Sequence, residues 1–188
     1  SDQQPVDHTE PYTVLVGHTD PAAVATIPLP CVLSDGVNSS ATYTTAITQS
    51  SDAIDANSPT VSSVSIPNTA MKIGHAVTVS ISGGEAGLTL SSGFINGVAV
   101  TGFSDLTAGN YSATYTVLEG HTDRAAGATI PVSFVLSDGV NSSATYTTAI
   151  TQGSDSIDAN SPTVSSVSIP NTAMKIGDAV TVSISAGE

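Results

Sequence analysis

The residues of this chain whose types and spacing could do chemistry are oxygen donors. Residues 51–59, "SDAIDANSP", hold Asp52, Asp55 and Asn57, and residues 154–162, "SDSIDANSP", hold Asp155, Asp158 and Asn160 in the same positions. More acids follow this pattern of recurrence: Asp20 in "GHTDP", Glu119 and Asp123 in "EGHTD", and Asp35 and Asp138 in two copies of "SDGVNSS". Carboxylates that gather repel one another, so a cluster needs compensation, and a bound cation is the simplest form of it. Acids interleaved with an Asn amide and loop carbonyls form an all-oxygen set, which suits a hard cation of loose geometry, namely calcium. The candidate ligands are Asp20, Asp52, Asp55, Asn57, Glu119, Asp123, Asp138, Asp155, Asp158 and Asn160. Asp and Asn also form turns through their own backbone bonds, and this is the competing reading, strongest for Asp138.

Other chemistry finds little support. His18 and His121 lie in "GHTD" with no second His or Cys at zinc-ligand spacing. The single cysteine, Cys31, falls where the second copy of its surroundings has Phe134, which marks a filler and not a reactive thiol. No nucleophile, base and orienting acid recur together, and the Gly83-Gly84 pair lacks a phosphate-loop context, so an enzyme is not expected. With 3 Lys or Arg against 16 Asp or Glu, the net charge is −13, which repels nucleic acid and anionic membranes. No apolar run reaches membrane-spanning length, so direct insertion is not expected; the lack of a signal peptide at Ser1 suits an internal fragment.

The recurrence extends well beyond the acids. Sliding the sequence by 103 positions aligns residues 12–85 with 115–188 without a gap, and 64 of those 74 positions are identical. Cutting at the "DANSP" punctuation divides the chain into 1–54, the back part of a repeat (strands E to G), 55–157, a complete repeat, and 158–188, the front part of the next (strands A and B). A unit of about 100 residues can bury its own core, so each repeat is a module and not a solenoid turn.

Within the unit, apolar residues recur with a period of two. "AVTVSIS" places Val77, Val79 and Ile81 on one face; "NYSATYTVL" aligns Tyr111, Ala113, Tyr115 and Val117; "TIPVSFVL" aligns Ile130, Val132, Phe134 and Leu136. "ATYTTAIT" at 144–151, residues 61–66, a short strand begun by Leu88 and Leu90, and an edge at 98–101 complete the set, with most of the tyrosines facing inward. No stretch carries a helical stripe. The expectation is an all-β chain of tandem immunoglobulin-like antiparallel β-sandwich repeats. In that topology, eleven of the sixteen acids lie in linkers and loops at the junctions between modules.

The long stretches "DANSPTVSSVSIPNTAMKIGDAVTVSIS" and "YTVLEGHTDRAAGATIPVSFVLSDGVNSSATYTTAI", with their period of 103, resemble the calcium-stabilised immunoglobulin-like extender repeats of giant bacterial RTX-type adhesins, especially the ice-binding class. The resemblance implies an extracellular, cell-surface protein of adhesion and biofilms in which many modules form a rod. Calcium would sit at the linkers, with Asp155, Asp158 and Asn160 matching the linker motif and Glu119 and Asp123 the acidic loop. Val16 stands in the first copy where the second has Glu119. The partners expected are neighbouring repeats of the same chain, with self-association into filaments and direct binding of sugar or ice through a Ser/Thr face as alternatives.

Overall fold

The computed structural model describes residues 7–20, 26–48, 54–153 and 156–187. Much of the alternation in the sequence becomes strand, and no helix forms among these residues. The first piece holds β1 (Thr26–Ile27) and β2 (Ile47–Thr48). The complete repeat follows with β3 (Val61–Ser65), β4 (Met71–Lys72), β5 (Ala76–Gly83), β6 (Thr89–Ile95), β7 (Val98–Ala99), β8 (Thr101–Asp105), β9 (Asn110–Thr116), β10 (Thr129–Ile130), β11 (Val132–Ser137) and β12 (Ile150–Thr151). Last come β13 (Ile157–Asp158), β14 (Thr163–Ser168) and β15 (Ser183–Gly187).

In the complete repeat one antiparallel sheet runs β3-β5-β9-β8 and a second runs β11-β6-β7. β10 pairs with β12, and bridges Phe134↔Tyr146 and Ser137↔Ser142 carry the second sheet on to its edge. Asn96 and Gly97, both at positive φ (53° and 79°), make the tight turn between β6 and β7, where the chain needs two left-handed residues in succession. Gly93 on β6 is a glycine because a Cβ there would stand 2.9 Å from both Phe134 and Val100.

The two inner faces interlock in a single core, to which β5 sends Val77, Val79 and Ile81, β9 sends Tyr111, Ala113 and Tyr115, and β11 sends Val132, Phe134 and Leu136. Tyr111 also donates to the Glu85 carbonyl at 2.7 Å and accepts from the Leu88 amide at 3.0 Å, so one ring both fills the core and pins the turn above it. Phe103 stacks on that ring with centroids 5.2 Å apart.

Three features depart from the expectation. β6 is long, and β8 extends the edge expected at 98–101 to Asp105. The segment 144–151 forms a regular strand only at β12, because it touches one neighbour alone and Ser143 Oγ takes the Leu136 amide at 3.0 Å in place of a ladder bond. The tyrosines are buried only in the complete repeat: Tyr111 and Tyr115 are inside, while Tyr12 and Tyr43 are exposed.

The end pieces copy part of the local structure of the centre without its burial. β14 and β15 pair in the register of β3 and β5, with Val167 opposite Ile184 as Val64 is opposite Ile81. Yet Ile184 is 65% exposed where Ile81 is 1%. This contrast predicts an asymmetry at Phe134, a core site that is Cys31 in the first copy. Phe134→Ala should cost about 3–5 kcal/mol of stability, the usual penalty for an emptied aromatic site. Cys31→Ala, on an exposed residue, should stay within about 0.5 kcal/mol. Urea denaturation of the whole chain reads both.

Candidate functional site

At the first junction the segment 55–58 forms no strand of its own. Two neighbours hold it. From the preceding piece, Gly17 donates its amide to the Ala56 carbonyl at 2.9 Å, and the Ala56 amide donates to Asp20 Oδ1 at 2.7 Å. Asn57 Nδ2 donates to the other oxygen of Asp20. From the following repeat, Asn141 Nδ2 reaches back to the carbonyls of Asn57 at 2.9 Å and Asp55 at 3.3 Å. One Asp and one Asn, on different modules, thus grip the same few backbone groups from opposite sides.

Each gripping side chain sits on a preformed turn. His18 and His121 close theirs by accepting the amides of Leu15 and Leu118 on Nδ1 at 3.2 and 3.1 Å, so these rings serve as local braces. Asp138 Oδ1 accepts the amides of Val140 and Asn141, both at 2.7 Å, which aims Asn141 at the linker. Asp35 does the same for Val37 and Asn38, and the amides of Asn38 and Val37 hold its carboxyl below the ordinary range.

The second junction repeats the first half of this grip and adds to it. Gly120 donates to the Ala159 carbonyl at 2.9 Å and the Ala159 amide to Asp123 Oδ1 at 2.7 Å. Glu119 accepts the Ser161 amide at 3.0 Å and the Ser161 hydroxyl at 2.6 Å. Arg124 and Ile157 exchange backbone bonds of 2.9 Å in both directions, and β13 lies parallel to β4 on its other side. Ile157 and Ala159 are buried between these neighbours. The loop is tied down in turn: Arg124 Nε donates to Asn96 Oδ1 at 2.7 Å, and Asn96 Nδ2 donates to the Thr122 carbonyl at 2.6 Å. Beneath lies the Tyr115 hydroxyl, buried and without a hydrogen bond; burial raises its pKa, against the opposing pull of Asn96 and Arg124.

The candidate ligands therefore fall into groups. Asp20, Asp55 and Asn57 meet at the first junction, and Glu119, Asp123 and Asn160 surround the second, with Asp158 exposed on β13. Asp138 is engaged with its own turn. Asp52 and Asp155 lie outside the described residues. The donors are all oxygen, as a hard cation requires, but among the described residues no three His, Cys, Asp or Glu converge into a ligand group. The compensation visible here is the backbone amide. Sequence reasoning passed over Asn141, Ser161, Arg124 and the two Gly-Ala bonds. A signal did exist, since Ile157 and Ala159 alternate with polar residues as a half-buried strand does. No protein-family model, curated protein or solved structure matches this chain.

Ser161's hydroxyl and amide hold Glu119, and Ala159's amide with the Asn160 side chain holds Asp123, below the ordinary carboxylate range. A carboxyl whose folded pKa is depressed contributes stability above its unfolded pKa and loses it as pH falls through the folded value. Amide protection factors at Ala159 and Ser161, corrected for intrinsic exchange, should hold steady down to about pH 5 and fall below about pH 4. Asp123→Ala should remove protection at Ala159 at every pH; full protection there would show that the carboxylate does not hold the linker.

Proposed function

We propose that this chain is a structural extender, a run of immunoglobulin-like modules that spaces a bacterial surface adhesin's binding tip from the cell. The observation that carries the reading is the double grip on 55–57, with Gly17 and Asp20 on one side and Asn141 on the other. A linker bonded to both neighbours transmits bending from one module to the next, and stiffness of that kind is what a spacer needs. The sheet orders support the sandwich assignment, because β3-β5-β9-β8 with β12, β11, β6 and β7 opposite follow the A-B-E-D and G-F-C-C′ arrangement of immunoglobulin-type folds. Near-identical copies also favour a spacer over an enzyme, since a rod gains from repetition and an active site seldom does.

Calcium is part of the proposal as a second brace. Asp20, Asp55 and Asn57, with Asp52, would hold it at the first junction, and Glu119, Asp123, Asp158 and Asn160, with Asp155, at the second. When bound it would neutralise the carboxylates and leave the amide bonds in place. At the affinities of extracellular calcium modules, millimolar calcium would add about 1 kcal/mol per site by mass action. The surroundings of such a protein would be extracellular.

One observation favours direct binding as a second reading. The outer face of the four-stranded sheet carries rungs of hydroxyls, Thr101-Thr114-Thr78 and Ser104-Ser112-Ser80-Ser65, with no charge among them. Solution scattering separates the two. Asp20→Ala and Asn141→Ala should each shorten the maximum dimension of the chain while leaving its circular dichroism unchanged. If both variants scatter like the wild type, the spacer reading fails and the hydroxyl face moves ahead. Chelation tests calcium alone: wild type should loosen in excess chelator, and an unchanged curve there removes the ion from the account.

Val16, 83% exposed, leaves Ser58 without the partner that Glu119 gives Ser161. Val16→Glu should therefore raise amide protection at Ser58 several-fold and bring the first junction up to the second. No change at Ser58 would mean that Glu119 is only a loop charge.

A further inference from the structure

We infer that residues 156–161 are a strap that fastens the complete repeat against tension, and that its release is the step at which the repeat yields when the chain is pulled. The bonds that hold this stretch lie across its axis. The Ser156 carbonyl takes the Met71 amide at 2.9 Å on one side, where β13 runs parallel to β4, and Ile157 exchanges two bonds with Arg124 on the other. Farther along, the carbonyl and amide of Ala159 are held by Gly120 and Asp123, and the Ser161 amide by Glu119. A pull on the chain beyond Ser161 acts along the strap, so it strains these crosswise bonds together and not in turn. Sliding would also draw Ile157 and Ala159 out of the core cluster to which both belong.

The chain just before the strap is held far less well. Residues 142–151 pair regularly only at β12, and apart from it they make the single bridges Ser137↔Ser142 and Phe134↔Tyr146. Between β12 and the strap, the Gly153 amide donates to Asn68 Oδ1 at 2.9 Å. The entry end is fastened differently, because β3 forms a ladder with β5 between Val61 and Ser65. The exit therefore relies on the strap, and the strap on the loop that grips it. Load arriving at Ser161 passes to β4 and, through Arg124 and Asn96, to the turn between β6 and β7. In the first copy Pro21 stands in the place of Arg124 and has no N–H to give, so one of these bonds has no equivalent there. The use of the strap rests on the spacer reading, since only a tethered chain is pulled, but its mechanics do not.

Single-molecule pulling on the full chain at constant force, in excess chelator so that no ion contributes, tests it. Cysteine handles are placed in a Cys31→Ser background. Ser58→Cys with Pro162→Cys loads the strap, whereas Ser58→Cys with Ala149→Cys leaves it outside the path of the load. At equal force the first pair should hold at least about ten times longer than the second. Asp123→Ala removes the carboxylate that takes the Ala159 amide, and Arg124→Pro removes the amide given to Ile157. Each should shorten the lifetime of the Pro162→Cys pair about ten-fold and change that of the Ala149→Cys pair by less than about two-fold. Thr89→Ala, which deletes a bond to the Ser137 carbonyl away from the strap, should leave both lifetimes in place. Equal lifetimes for the two handle pairs overturn the inference. So does equal acceleration of both pairs by the strap variants, which would mean a general loss of stability. If a strap variant does not fold, the two handle pairs on the otherwise unchanged chain decide the matter alone. Either failure leaves the spacer reading to its scattering test, and wild-type scattering of Asp20→Ala and Asn141→Ala would sink that reading without touching the strap.

Discussion

The structure depends on hydrogen bonds made by a linker that cannot form a strand by itself. The segments 55–57 and 157–161 are extended and carry amides and carbonyls that must find partners. A sheet of their own would need neighbours that a linker does not have. They borrow partners from loops instead: Gly17 and Asp20 in one place, Gly120 and Asp123 in the other. At the second junction the borrowing is deep enough to bury Ile157 and Ala159, so this stretch is packed and not a free tether. Without these bonds the end pieces would be tied to the central core by the bare chain alone.

This arrangement also disposes of the charge problem raised by a chain of net charge −13. Acids at the junctions are spared mutual repulsion to the extent that each faces N–H donors, and a carboxylate that accepts backbone amides is stabilised in its charged form. Asp123 and Glu119 both show the expected depression, each with an amide bond among its causes. Positive side chains are hardly needed. The one arginine, Arg124, is spent on holding Asn96, and through it the loop, where it acts as a fork of donors more than as a counter-charge.

Much of the fold was legible. Val77, Val79 and Ile81 alternate with Thr and Ser and are all buried, and Pro131 interrupts the strand where β10 gives way to β11, its carbonyl taking the Asn96 amide at 2.8 Å. What escaped was non-local. The pattern "TGFSD" has one apolar residue and a Gly102 at positive φ; it is a strand because β9 lies beside it. Asp20 and Asp123 each find their amide 36 residues away, and nothing in the spacing of acids distinguishes a carboxylate meant for an N–H from one meant for a metal ion. Asn141 escaped more completely, since its partner lies 84 residues upstream and its own turn already explained it.

The repeat separates two kinds of information that a single domain confounds. Val64 faces Ile81 in one copy as Val167 faces Ile184 in the next, and β10 pairs β12 as β1 pairs β2, so in these pairs strand register is a property of the short sequence and its turn. Burial does not travel with them, because it requires the other sheet, and the exposed Ile184 beside the buried Ile81 shows that requirement directly. The joint behaves differently again. Its core contacts recur from Gly17 to Gly120 and from Asp20 to Asp123, while Val16 and Pro21 give way to Glu119 and Arg124. The linker can therefore be held by more or fewer bonds through residues that lie outside the core, as Glu119 and Ser161 show where Val16 and Ser58 have no such pair.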